Sequence, residues 1–308
     1  MEIALQFGLL VLGFVMLAKG ADWFVEGAAG IAMRFGIPQL VIGLTIVAMG
    51  TSAPEAAVSI AAAVKGNADI TIGNIVGSNI LNILVILGLA ASIVPIAVAR
   101  STVRIEIPFM IAVTALLFYQ GRDGSISLAD GGVLMVAFAA YMMYLYTMAM
   151  KSNVDSDLEE PGLPLGRCLL GAFGGLALII AGSNVTVGAA TSIATYAGLS
   201  ERFIGLTIVA LGTSLPELFT SVAAARRGNA DIAIGNIVGS NIFNILFVVG
   251  LSSLIIDIPF AAAFNFDTYV ALGAAVLLWL CVLRTQRLQR WAGALMLVCY
   301  AAYLGYIL

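Results

Sequence analysis

The sequence predicts an all-α integral membrane protein of ten transmembrane helices, arranged as two inverted five-helix repeats. Three observations carry that expectation: composition, the spacing of apolar segments, and an internal duplication. Of the 308 residues, 61% are hydrophobic and only 10% charged, and mean hydropathy is +1.07. A soluble domain has about 25% charged and 45–50% apolar residues, so lipid must serve as part of the solvent. This excludes a soluble enzyme. A net charge of -3 gives no basic footprint for a phosphate backbone, which excludes a nucleic-acid binder.

Apolar stretches long enough to cross a bilayer, about 20 residues each, fall at 3–33, 37–64, 70–95, 104–121 and 127–149. A second set falls at 166–197, 203–225, 232–255, 267–284 and 290–307. The first and sixth are too long for one perpendicular crossing and are expected to tilt. The N-terminus lacks a basic region and a small-residue cleavage site, so the first segment reads as a retained span. With the N-terminus outside, the inner loops collect Arg34, Arg100, Arg104, Lys151, Arg167, Arg226, Arg227, Arg284, Arg287 and Arg290. The outer loops keep Lys65, Arg122 and Arg202. Both termini are therefore expected to face away from the cytoplasm.

The domain organisation follows. Residues 1–150 form a first half, 151–165 a cytoplasmic linker, and 166–308 a second half. The linker contains KSNVDSDLEEPGLP. It is acidic, ends in Pro and Gly, and reads as a solvated connection. A Ca2+-sensing loop is poorly supported there, because EF-hand ligand spacing is missing.

The duplication is the most informative feature. Residues 42–82 read IGLTIVAMGTSAPEAAVSIAAAVKGNADITIGNIVGSNILN, and residues 204–244 read IGLTIVALGTSLPELFTSVAAARRGNADIAIGNIVGSNIFN. The offset is a constant 162, and 31 of 41 positions are identical. Five spans per half is an odd number, so the second copy crosses in the opposite sense. Inverted repeats with broken helices around a midplane site are an architecture of secondary transporters. A duplicated channel remains compatible with the repeat alone.

Each copy places a glutamate, Glu55 or Glu217, in the middle of an apolar span. An acid at the bilayer centre costs about 2.5–3.5 kcal/mol on insertion scales. Lys65 lies ten residues from Glu55, about 15 Å along a helix, too far for a close salt bridge. A mobile cation is the plausible partner. Pro54 and Pro216 lack an N–H and are expected to disrupt the helix four residues back, at Gly50 and Gly212. Backbone carbonyls freed there must face protein or a cavity.

Thr51, Ser52, Thr213 and Ser214 add hydroxyls within a turn of each glutamate. Downstream, GNIVGSN-x-x-N supplies Ser78, Asn79 and Asn82, then Ser240, Asn241 and Asn244. Ser78 and Asn82 share a helix face, as do Ser240 and Asn244. These are all hard oxygen donors, which suit Ca2+ better than transition metals. Two carboxylates balance one Ca2+ or two Na+, but not both loads together.

Other readings stand beside these. The serines, in Gly77-Ser78 and Gly239-Ser240, also suit close helix packing, and the asparagines could be interhelical glue. A protonated, structurally bonded carboxyl is the alternative for the glutamates. Asp69 and Asp231 read as helix N-caps. Asp22 and Glu26 have no counterparts, Asn184 and Gly188 standing in their places, and receive no role. There is no His, which removes His-based nucleophilic and zinc sites. Cys168, Cys281 and Cys299 lie in apolar runs and do not form a disulfide framework.

The paired GTS-x-PE and GSN-x-x-N stretches closely resemble the signature repeats of the cation/Ca2+ antiporter superfamily, specifically the prokaryotic Na+/Ca2+ exchangers. The resemblance covers essentially the whole chain in length, span count and orientation. It implies that the ligands are Thr51, Ser52, Glu55, Ser78 and Asn82, with Thr213, Ser214, Glu217, Ser240 and Asn244, and carbonyls near Ala48 and Ala210. K+-coupled relatives carry an aspartate where this chain has Asn244, which implies K+ independence. The H+/Ca2+ branch has GN-x-x-E where this chain has TS-x-PE, which favours Na+ as the driving ion. The large cytoplasmic regulatory loop of animal exchangers is absent.

The expected function is a Na+/Ca2+ antiporter working by alternating access, in which the long first and sixth spans slide against the ion-binding bundle. H+-driven exchange is the alternative within transport, and a passive cation channel the alternative from another class. No enzymatic activity is expected. The transported ions Na+ and Ca2+ and the lipid bilayer are the only partners implied, with no cofactor and no obligate protein partner. A prokaryotic inner membrane is the expected location.

Overall fold

A computed structural model describes residues 2–66, 68–151, 163–198 and 210–307. The described residues are helical apart from turns and four two-residue strands. The first helix, α1 (Glu2–Phe35), has 34 residues, about 50 Å at 1.5 Å per residue. It outruns a hydrocarbon core of about 30 Å, so it must tilt or project. Next come α2 (Gln39–Thr51) and α3 (Ala53–Val64), which meet at a 50° bend. They are followed by α4 (Ile70–Ile93), α5 (Thr102–Asp123) and α6 (Leu128–Lys151).

In the second half, α7 (Leu165–Tyr196) is the counterpart of α1. Helix α8, described over Ala210–Thr213, and α9 (Leu215–Arg226) follow. The chain closes with α10 (Ala230–Ile255), α11 (Ala263–Leu283) and α12 (Arg290–Ile307). Among the described residues, eight helices are long and apolar enough to span, or nine with the bent pair α2–α3. The expected span 203–225 begins outside the described residues, and the linker at 151–165 lies almost wholly outside them.

Glycine ends the helices at equivalent places. Gly36 and Gly198, after α1 and α7, have φ of 63° and 79°; Gly66 and Gly228, after α3 and α9, have φ of 77° and 80°. This left-handed conformation stops a helix at little cost only in glycine.

The duplication continues in the backbone beyond the point where sequence similarity fades. Strand β1 (Ile96–Ala97) pairs with β4 (Arg287–Leu288), and β2 (Ser125–Ile126) pairs with β3 (Ile258–Pro259), both antiparallel. The partners are Ile96 with Leu288 and Ile126 with Ile258. Moving Ile96 up by 162 and Leu288 down by 162 gives Ile258 and Ile126, the other pair. Because α5 connects β1 to β2, the two ladders sit at opposite ends of that helix.

The centre belongs to α4 and α10. Of their most apolar windows, 78% and 94% are buried, against 17% for α1. The outer side of α1 instead exposes Leu5, Phe7, Val11, Leu12 and Val15, an apolar surface suited to lipid.

Helices α1 and α7 pack antiparallel along most of their length, at a separation only glycine permits. A Cβ on Gly20 would lie 2.9 Å from the Gly175 carbonyl oxygen, and one on Gly27 2.3 Å from the Ala172 nitrogen. A Cβ on Gly182 would lie 3.0 Å from the Gly13 carbonyl oxygen. Small residues that let backbones approach are the usual device for membrane helix pairs.

Candidate ion-binding site

The bend between α2 and α3 is centred on Ser52 (φ -81°, ψ 6°), and the same conformation recurs at Ser214 (φ -90°, ψ 5°). This corrects the sequence expectation, which put the disruption at Gly50 and Gly212. Proline fits the first turn of a new helix, where its missing N–H has no partner to lose, so the break falls just before Pro54 and Pro216. The Gly212 carbonyl is not left open either, since Ser183 Oγ donates to it at 2.7 Å.

Each break sets a glutamate in the first turn of the following helix, Glu55 in α3 and Glu217 in α9. Both are buried, with 1% exposure. Each accepts from the serine of the opposite break: Ser52 Oγ donates to Glu217 Oε1 at 2.8 Å, and Ser214 Oγ donates to Glu55 Oε1 at 3.3 Å. Among the described residues neither glutamate has a salt bridge, and the ion pairs are those of Arg227 with Asp22 and Glu26.

Facing these breaks, α4 and α10 supply the amides. Both helices widen into a π-helical stretch beginning at the asparagines, Asn82–Leu87 and Asn244–Val249. Such single π turns cluster at functional sites. Asn82 Nδ2 donates to Asn241 Oδ1 at 2.9 Å, and Asn244 Nδ2 donates to Asn79 Oδ1 at 3.1 Å.

Four oxygens are then left over. Glu55 Oε2, Glu217 Oε2, Asn82 Oδ1 and Asn244 Oδ1 are all buried with no hydrogen-bond donor among the described residues. An unsatisfied buried acceptor costs about 1–3 kcal/mol, and more when charged. Four acceptors left over at equivalent positions of the two halves make a site that lacks positive charge. Among the described residues no three His, Cys, Asp or Glu side chains gather. The arrangement is thus two carboxylates completed by neutral oxygens, the donor chemistry of Ca2+ and Na+ rather than of a softer metal.

The remaining sequence candidates lie on the same helices. The Ala48 carbonyl accepts from Ser240 Oγ at 3.3 Å, which joins α2 to α10. Thr51 Oγ1 donates to Asn236 Oδ1 at 3.0 Å. Ser78 is buried on α4. Thr213 sits at the end of α8, and the backbone of Ala210 lies in that helix.

Two features escaped the sequence reading. Asn74 Nδ2 donates to Ser59 Oγ at 2.9 Å and to the Glu55 carbonyl at 3.3 Å. Its counterpart Asn236 bonds Ser221 Oγ at 2.9 Å and the Glu217 carbonyl at 3.5 Å. These pairs tie each glutamate helix to the adjacent central helix, and their identity in both copies of GNIVGSN was the available signal. Asp22 and Glu26, which had no role, are held by Arg227 at 3.2 and 3.1 Å.

A second expectation also fails. Asp231 is not an N-cap: Asn229 holds that position, and Asp231 lies in the first turn without a side-chain capping bond, where the helix dipole still favours an acid. The Asp69 side chain lies outside the described residues, and the position before its helix is Ala68, again with no side-chain capping bond.

Comparison with known proteins agrees with this geometry. The family model described as "Sodium/calcium exchanger protein" matches residues 5–147 and 168–308. The chain is 40% identical over 305 residues to the putative antiporter CaxA of Alkalimonas amylolytica, covering 96% of each protein. It is 40% identical over 260 residues to the inner membrane protein YrbG of Escherichia coli, covering 80% of this chain and 79% of that one. With the sodium/calcium exchanger MaX1 of Methanosarcina acetivorans it shares 33% identity over 344 residues, covering 98% of each. Among solved structures, it superposes on the sodium-calcium exchanger NCX_Mj soaked with zero Na+ and Ca2+ at a TM-score of 0.87 and 34% identity, covering 99% of this chain and 100% of that one. The chain belongs to the sodium/calcium exchanger protein family, a family of membrane transporters and not of enzymes.

Proposed function

We propose that this cation/Ca2+ exchanger is a Na+/Ca2+ antiporter that works by alternating access and does not require K+. The observation that carries the reading is the set of four oxygens, on Glu55, Glu217, Asn82 and Asn244, that are buried with no donor among the described residues. The full ligand set is Thr51, Ser52, Glu55, Ser78, Asn82 and the Ala48 carbonyl from the first half. Thr213, Ser214, Glu217, Ser240, Asn244 and the Ala210 carbonyl complete it from the second. Ten helices in two inverted halves hold it at mid-membrane, in a prokaryotic inner membrane with both termini away from the cytoplasm.

The charge of the site explains exchange. Two carboxylates give -2, neutralised by one Ca2+ or two Na+ and overloaded by both together. An empty site keeps two buried negative charges, which are expensive at the bilayer centre. Passage between the two access states is therefore easy only with ions aboard, and one ion leaves as the other arrives. Asn244 adds no third charge, and this supports independence from K+. The closely packed pair α1 and α7 is the element that slides against the bundle to switch access.

Equilibrium 45Ca2+ binding to the purified protein in detergent tests the site. Na+ should displace bound Ca2+, K+ should not, and Glu55→Gln and Glu217→Gln should each weaken binding by 100-fold or more, about 2.8 kcal/mol at tenfold per 1.4 kcal/mol. Binding that survives both substitutions would remove the site from these residues. Equal displacement by K+ would contradict K+ independence.

A further inference from the structure

Asn79 and Asn241 do not point an open oxygen into the ion site. Each is nonetheless buried, with 3% and 1% exposure, and each spends both ends of its amide across the boundary between the halves. Asn79 Nδ2 donates to the main-chain carbonyl of Asn241 at 3.2 Å, and Asn241 Nδ2 returns the bond to the carbonyl of Asn79 at 3.2 Å. A carbonyl can only accept, so the orientation of both amides is fixed by chemistry and not by choice of fit.

The consequence runs one residue further. With its NH2 committed to a carbonyl, Asn79 must turn Oδ1 the other way, and it accepts there from Asn244 Nδ2 at 3.1 Å. The Asn244 amide is thereby oriented as well: NH2 toward Asn79, Oδ1 toward the site with no donor. Asn241 orients Asn82 in the same way: Asn82 Nδ2 donates to Asn241 Oδ1 at 2.9 Å, and Asn82 Oδ1 has no donor among the described residues. Rotated by half a turn, Asn82 or Asn244 would present NH2 to a cation and repel it.

We infer that Asn79 and Asn241 are positioning residues that lock the amides of Asn244 and Asn82, each in the opposite half, with oxygen toward the transported ion. This rests on the ion site proposed above. It assigns them a role distinct from ligation and from general helix packing, with a crossed pattern of dependence: Asn79 acts through Asn244, and Asn241 acts through Asn82. Partners that orient a ligand in this way typically contribute 10–100-fold to metal affinity.

The test is a pair of double-mutant cycles on the full chain in proteoliposomes, reading the KM for Ca2+ and kcat separately, with Ca2+-dependent thermal shift in detergent as the check of folding. Asn79→Leu should raise KM about tenfold while kcat changes less than about twofold. Adding Asn244→Ala should raise KM little further, whereas adding Asn82→Ala should multiply the two losses, because only the first pair shares a bond. Asn241→Leu should show the converse, non-additive with Asn82→Ala, and stands as the independent arm if Asn79→Leu does not fold. An unchanged KM in both leucine variants, beside weakened Asn82→Ala and Asn244→Ala, overturns the brace alone. So does additivity within both crossed pairs. An unchanged KM in both alanine variants overturns the ligand assignment and the brace with it.

Discussion

The proposed ion site and the α1–α7 pair are both built from the two halves, yet they preserve different things. At the site, residue type is kept: Ser52 and Ser214, Glu55 and Glu217, Asn82 and Asn244 stand 162 apart and form equivalent bonds. Along α1 and α7 residue type is not kept throughout. Gly13 and Gly20 correspond to Gly175 and Gly182, but Gly27 corresponds to Ala189, Asp22 to Asn184, Glu26 to Gly188 and Ala21 to Ser183. Ion coordination requires a given atom at a given place, whereas helix contact requires only that nothing bulky intervene. The ion-pair contact of Arg227 with Asp22 and Glu26 is correspondingly one-sided, because Lys65 has no acid at Asn184 or Gly188.

Loss of either glutamate carboxylate should produce the largest effect, as described above, because both halves are needed to reach -2. The next largest belongs to the helix pair. Gly27→Ala places a Cβ 2.3 Å from the Ala172 nitrogen and 2.5 Å from the Cys168 carbonyl oxygen. Backbone atoms cannot step aside, so a loss of about 1–3 kcal/mol and a clear fall in Tm are expected. Gly8→Ala on the same helix meets nothing within 4 Å and should leave Tm unchanged. Similar Tm values for the two variants would contradict the close α1–α7 contact.

The smallest effect is expected at the one-sided ion pair. Arg227 is 36% exposed, and Asp22 and Glu26 are 42% and 48% exposed, so the pair is worth about 0.2–1 kcal/mol and is screened by salt. Arg227→Gln should therefore change the ratio of Ca2+ KM values on the two faces by about twofold, and less at high ionic strength. Lys65→Gln should change nothing. A matching response at Lys65 would show that the asymmetry has no bearing on the two access states.

Most of the spans were legible because a bilayer accepts few alternatives: a run of apolar residues about 20 long has one stable conformation there. The first, third and tenth expected spans agree with α1, α4 and α12 to within a few residues. The glutamates were legible for the converse reason, since an unpaired acid in such a run demands a partner. What escaped was long-range. The amide brace joins residues 159–165 apart, and the Arg227 contact spans 201–205; neither leaves a periodic pattern in the chain. The ladder register of Ile96 with Leu288 and Ile126 with Ile258 shows the duplication persisting where side chains have diverged, because hydrogen bonds between backbones constrain no residue type.

The exchange claim itself is tested most directly by 45Ca2+ uptake into proteoliposomes loaded with Na+ and diluted into Na+-free buffer, beside vesicles loaded with K+ and vesicles carrying only a pH gradient. Uptake that requires internal Na+ and disappears in Glu55→Gln and Glu217→Gln is the predicted result. Uptake driven by the pH gradient alone, or Ca2+ entry indifferent to the trapped ion, would contradict Na+-coupled exchange, the first in favour of H+ coupling and the second in favour of a channel.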